Sequence, residues 1–78
     1  MALRDLIETI AKNLVEFPGE VEVAEYDSGN STVVELRVAK EDLGKVIGRD
    51  GRTAQHMRTL LTAAAAKVGC RAHLDIVD

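Results

Sequence analysis

The sequence of 78 residues has room for one folding unit, residues 1–78, small enough to bury only about 60–65% of the surface that its unfolded chain would expose. Hydrophobic residues make up 46% and charged residues 29%, too apolar for disorder, yet no apolar run approaches the roughly 18–20 residues that a membrane-spanning helix needs. The net charge of −3 argues at first against a nucleic-acid partner, but it hides an asymmetry: residues 1–44 carry four basic and ten acidic side chains, and residues 45–78 carry six and three, so a small basic site sits on an acidic body and suits a short ligand better than a long duplex.

The chain opens with Leu3, Leu6, Ile7, Ile10, Ala11, Leu14 and Val15 at three- and four-residue steps, which predicts an amphipathic helix. Asp5 and Glu8 interrupt the apolar stretch that a signal peptide would need, and the single Cys70 cannot form an internal disulfide. A cytoplasmic location is expected. The helix should stop at Phe17-Pro18-Gly19. Val21 to Tyr26 roughly alternates, and Thr32 to Val38 alternates clearly, so both read as strands. The turn-favouring run Asp27-Ser28-Gly29-Asn30-Ser31 joins them as an antiparallel hairpin.

Leu43, Val46 and Ile47 share one face of a short helix ended by Gly48. A longer helix follows from about Arg52 to Val68, with Ala54, Met57, Leu60, Leu61, Ala64, Ala65 and Val68 as its expected buried stripe and Gly69 as its cap. Ala72, Leu74 and Ile76 then alternate with Arg71, His73 and Asp75 in a last strand. The order α-β-β-α-α-β predicts an α+β two-layer sandwich. Its third strand, reached by a right-handed helical crossover, lies parallel to the second in a three-stranded mixed sheet. Val34, Leu36, Val38, Leu74 and Ile76 form the face that the helices cover.

The chemistry concentrates in Leu43-Gly44-Lys45-Val46-Ile47-Gly48-Arg49-Asp50-Gly51-Arg52-Thr53, where Gly48 and Gly51 bound a loop between two helices. Glycines there let a sugar-phosphate chain lie against the backbone. The N-terminus of the following helix favours an anion, and Arg49 and Arg52 can add charge-assisted contacts to phosphate. Taken alone, the two glycines could equally shape a tight turn.

In its context, after Val46-Ile47 and inside a strand-helix-helix-strand unit, this loop resembles the GxxG loop of a KH domain, which clamps about four nucleotides of single-stranded nucleic acid by their backbone. Placing the extra helix and strand ahead of that unit resembles the type II KH form. The length, the segment Lys45 to Ala54 and the Leu60-Leu61 pair resemble the small bacterial KhpA family. That resemblance implies a non-catalytic protein that binds single-stranded RNA, with a proposed RNA-chaperone role. It also implies dimerisation and pairing with a larger KH protein of the KhpB type, also called Jag or EloR. Residue by residue, it makes Gly48, Arg49, Asp50 and Gly51 the clamp, Ile47 part of an apolar floor for bases, and Arg52 a guard of the phosphate path. Gly44, Lys45 and Thr53 complete the expected RNA-binding set. Ala54, where many KH motifs carry a large aliphatic residue, and the negative Asp50 depart from the motif, so modest affinity is expected.

Other readings are weaker. Gly44-Lys45 lacks the glycine-rich approach and the hydroxyl of a nucleotide-binding P-loop, since Val46 follows. Cys70, His56 and His73 lack metal-ligand spacing, and no pair of acid, base or nucleophile is spaced for catalysis, so neither metal, cofactor nor enzyme is expected. His56, one turn beyond the clamp, reads as a solvated residue with a secondary RNA contact as the alternative. The acidic Glu20, Glu22, Glu25 and Asp27 read as a solvated strand edge, with a partner surface as the alternative. The alanines from Ala63 to Ala66 suit a helix, or the close approach of a helix from a second copy. The competing functional class is a dimerising adaptor with little RNA affinity of its own.

Overall fold

In the computed structural model, which describes residues 2–77, helix α1 (Leu3–Leu14) packs its Ile7 and Ala11 fully into the core, with Leu3, Ile10 and Val15 against it. Full burial of the Ile7 side chain contributes about 1.5–3 kcal/mol, and that of the smaller Ala11 less. Leu14 is left 40% exposed because the helix ends there and the chain turns extended at Val15. Beyond that end, the buried Asp42 carboxylate accepts the Glu16 N–H at Oδ1 and the Phe17 N–H at Oδ2, both at 3.0 Å. A local sequence signal, Phe17-Pro18, therefore coincides with a long-range tie that holds the chain after α1 against the next helices.

Strand β1 (Glu22–Ser28) pairs antiparallel with β2 (Ser31–Arg37) through a turn at Gly29-Asn30. Strand β3 (Arg71–Val77) pairs parallel with β2, with Val34 opposite Leu74 and Leu36 opposite Ile76. The order is β1-β2-β3, so β3 is an edge strand. This is the expected mixed sheet in the expected α-β-β-α-α-β order, and the alternation of β2 matches its burial: Thr32, Val34 and Leu36 face the helices. The first strand begins one residue late. Val21 is buried just ahead of it, and a short 3-10 turn over Pro18–Glu20 delivers the chain to the sheet.

Helix α2 (Leu43–Ile47) follows a 3-10 turn at Lys40–Asp42, and α3 (Arg52–Lys67) crosses the sheet. The stripe that α3 buries is narrower than its apolar pattern: Ala54, Met57, Leu61 and Ala65 are buried, whereas Leu60 and Val68 are 52% and 71% exposed. Leu60 stands about 100° around the helix from Leu61, and a two-layer domain has no third layer to cover that direction. The alanine run divides in the same way. Ala65 is in the core, Ala64 is half-buried, and Ala63 and Ala66 face solvent.

Candidate nucleic-acid interface

The loop joining α2 to α3 is built from unusual backbone. Gly48 donates its N–H to the Gly44 carbonyl at 2.9 Å, closing α2, and then adopts φ 80°, ψ 174°. Asp50 (φ 57°, ψ 25°) and Gly51 (φ 74°, ψ 12°) follow in the left-handed region, which reverses the chain into α3. The two glycines serve different ends. A Cβ on Gly48 would collide with Thr53 Oγ1 and sit 2.6 Å from Thr53 Cβ, whereas a Cβ on Gly51 would meet nothing within 4 Å. Gly48 is therefore needed for close packing on the first turn of α3, and Gly51 for its φ and for open access.

No side chain caps the N-terminus of α3, and although the Gly51 and Arg52 N–H groups are given to the Gly48 and Arg49 carbonyls, the positive end of the helix dipole there favours an anion. Arg49 and Arg52 flank that end, both exposed. Among the described residues neither they nor Arg58 forms an ion pair. Next to the loop a groove of about 390 Å³ is lined by Leu43, Ile47, Gly51, Ala54, Arg58 and Ile76. That volume lies in the range of about 300–1,000 Å³ typical of small-ligand sites. Its apolar floor adjoins edge strand β3 at Ile76.

The fold thus brings together Ile47, Gly48, Arg49, Asp50, Gly51 and Arg52. Three residues of the expected set stand differently. Lys45 is turned toward α1, with Nζ 2.9 Å from Glu16 Oε2 and 3.8 Å from Asp42 Oδ1, and the Glu16 hydrogen bond raises its pKa above the ordinary lysine value. Thr53 is half-buried against Gly48, and exposed Gly44 lies a turn back in α2; of the expected set only Ile47 and Gly51 line the groove itself. Leu43, Arg58 and Ile76 do line it. Leu43 and Ile76 read as plain core positions in the sequence, because only the approach of β3 to α2 reveals a groove between them.

The remaining candidates lie apart. His56 is exposed on α3 and does not line the groove, and neither do Phe17 or Tyr26. No cluster of metal-ligating side chains occurs among the described residues, nor is any helix among them long and apolar enough to cross a membrane. At the acidic edge of β1, Arg4 donates from Nη2 to the Val23 carbonyl at 3.1 Å and its N–H reaches Glu25 Oε1 at 3.0 Å, so α1 covers part of that edge.

Residues 4–76 match the family model described as "KhpA/KhpB, KH domain". The chain is 48% identical over 75 residues to the RNA-binding protein KhpA of Clostridium acetobutylicum, covering 96% of this chain and 100% of that one. It is 51% identical over 73 residues to KhpA of Caldanaerobacter subterraneus, covering 94% and 97%. The fold also resembles part of Aquifex aeolicus Era bound to GDP and aluminium fluoride, with a TM-score of 0.65 at 16% identity, covering 95% of this chain and 29% of Era. A further Era structure, in complex with MgGDPNP and nucleotides 1506–1542 of 16S ribosomal RNA, matches equally well over 28% of its length. The type II KH architecture and near full-length identity agree: this chain belongs to the KhpA family of KH-domain proteins.

Proposed function

We propose that this protein binds single-stranded RNA, holding the sugar-phosphate backbone on the Gly48-Arg49-Asp50-Gly51 loop while bases lie over Ile47, Leu43, Ala54 and Ile76. The observation that carries this reading is the set of cations Arg49, Arg52 and Arg58, which form no ion pair among the described residues, near an apolar groove at a helix N-terminus without a side-chain cap. Phosphates meet the cations and the helix end, and bases meet the floor. No aromatic ring lines the groove, so base contacts are aliphatic or by hydrogen bond, and selectivity from one site is low. The naming of its relatives as RNA-binding proteins supports the same reading, and the family is one of binding proteins rather than enzymes. On this reading the protein works in the cytoplasm with its RNA, with a chaperone role as a consequence of weak, unselective grip.

A second KH chain, either another copy or a KhpB-type protein, would link weak sites into a tighter unit. The flank of α3 opposite the clamp supports this, with exposed Val68 beside an apolar groove of about 480 Å³ that includes Leu3, Leu6 and Ala64. That same flank favours the second reading, an adaptor whose principal ligand is a protein.

Fluorescence anisotropy of labelled single-stranded RNA at two salt concentrations tests the clamp. Arg49→Asp is the informative variant, because Arg49 is exposed and does not occupy positive φ. Salt-sensitive binding that weakens at least tenfold in Arg49→Asp, with unchanged circular dichroism, is the expected result. Equal binding by wild type and variant, or none by either, would hand the lead to the adaptor reading.

A further inference from the structure

The sheet is covered on one side only. Thr32, Val34 and Leu36 of β2 face the helices, so strand alternation turns Ser31, Val33 and Glu35 to the opposite face. No residue of that face belongs to the hydrophobic core. Register sets one row of it across all three strands: Tyr26 of β1 pairs with Val33 of β2, and Val33 pairs with His73 of β3. With neighbouring strands about 4.8 Å apart, the backbone positions that carry the phenol ring and the imidazole are about 10 Å apart. Tyr26 is 54% exposed and His73 is exposed, with half-buried Val33 between them. Neither ring makes a hydrogen bond among the described residues. Small side chains border the phenol: Ala24 and Ser28 precede and follow it on this face of β1, and Ser31 lies diagonally across on β2.

Charge is graded along this face. In the row on one side of the rings, Glu35 and Asp75 are direct partners, and Arg37 lies 3.9 Å from Glu35. The row on the other side, toward the hairpin turn, is Ser28, Ser31 and Arg71. Arg71 forms no ion pair among the described residues. The two rings therefore adjoin hydroxyls and a free guanidinium at one end and carboxylates at the other.

We propose that Tyr26 and His73 form a base-stacking platform for single-stranded RNA, with a nucleobase on each ring and the backbone leaving toward Arg71. The proposal rests on the reading of RNA as the ligand and does not need the glycine loop. The platform supplies what the groove beside that loop lacks, an aromatic surface on which any base can stack. Glu35 and Asp75 repel phosphate, which fixes the end by which the strand leaves. A folded protein or a second copy of the chain suits this face less well. Three strands of seven residues make an area of about 14 Å by 23 Å, or about 300 Å², whereas a stable interface takes about 800 Å² from each partner. Two stacked bases need only part of that area.

The chain has one tyrosine, so its ring resonances in an NMR spectrum belong to Tyr26 without further assignment. Titration with a single-stranded RNA of about eight nucleotides should move them upfield as a base stacks on the ring. By anisotropy, Tyr26→Phe, which keeps the ring, should bind within about twofold of wild type. Tyr26→Ile keeps an apolar strand-forming side chain without a ring and should bind at least fivefold more weakly, with unchanged circular dichroism. Tyrosine resonances that stay in place at RNA saturation overturn the proposal, as does equal affinity of Tyr26→Phe and Tyr26→Ile or the absence of RNA binding by wild type. Resonances that move with protein concentration in the absence of RNA assign the face to a second copy and also overturn it. The Arg49→Asp variant separates the two sites. Wild-type affinity in Arg49→Asp beside a loss in Tyr26→Ile sinks the clamp and leaves the platform, and the reverse pattern sinks the platform and leaves the clamp.

Discussion

Thr53 stands directly behind Gly48, so that a Cβ at Gly48 would lie 2.6 Å from Thr53 Cβ and 2.8 Å from its backbone nitrogen. Gly48→Ala must therefore displace the first turn of α3 and hold an alanine at φ 80°. A loss of about 2–4 kcal/mol is expected, against about 1 kcal/mol for Gly51→Ala, whose Cβ meets open space. Thermal melts read this as a drop of about 10 °C or more for Gly48→Ala and about half that or less for Gly51→Ala. Equal melting temperatures would show that Thr53 gives way. For the same reason, acidic substitution of both glycines would confound loss of RNA with loss of structure.

Asp50 is the one non-glycine residue at positive φ among those described, and it places a negative charge within the proposed clamp. Aspartate and asparagine both tolerate this region. Asp50→Asn should keep the loop and tighten RNA binding about three- to tenfold at low salt, with the difference shrinking as salt rises. Asp50→Val should cost about 1–2 kcal/mol of stability. If Asp50→Asn binds RNA more weakly, the carboxylate is a base contact rather than a repulsive charge.

Asp42 is 1% exposed and bonds two backbone N–H groups beyond α1. Asp42→Ala leaves both part-buried donors without their carboxylate partner and should cost about 1–3 kcal/mol, measured by urea unfolding with an unchanged slope. Asp42→Asn keeps one acceptor oxygen and should fall between. A loss below about 1 kcal/mol would mean that water replaces the carboxylate.

The Lys45–Glu16 pair makes a prediction about pH. Its hydrogen bond raises the lysine pKa above its ordinary 10.5, so the stabilisation is fully present below pH 10.5 and is lost as pH rises through the folded value. Glu16→Gln should flatten that alkaline limb of the stability curve. It should also free Lys45 for phosphate and strengthen RNA binding at low salt. A variant with the wild-type alkaline limb would show that the pair is absent in solution.

Much of the architecture is legible in the sequence. The periodicity of α1, the alternation of Val34 and Leu36, and the helix-breaking Phe17-Pro18 are local signals, because each depends on the geometry of a single element. Leu60 and Val68 misled for the same reason: periodicity reports which residues are apolar on a helix, and whether a neighbour covers them depends on the number of layers. The loop from Gly48 to Arg52 was legible as a motif, since it draws its shape and charge from consecutive positions.

By itself the sequence determined the elements, their order, the mixed sheet and the glycine-bounded loop between two helices, all set by backbone preferences and apolar patterning over short distances. Only the tertiary structure decided what surrounds that loop. It set Ile76 beside Ile47 to form a groove and turned Lys45 to Glu16. It placed Thr53 against Gly48 and brought Arg58 to the groove beside the loop. These pairings join residues remote in sequence or set side-chain direction by packing, and no local propensity encodes either.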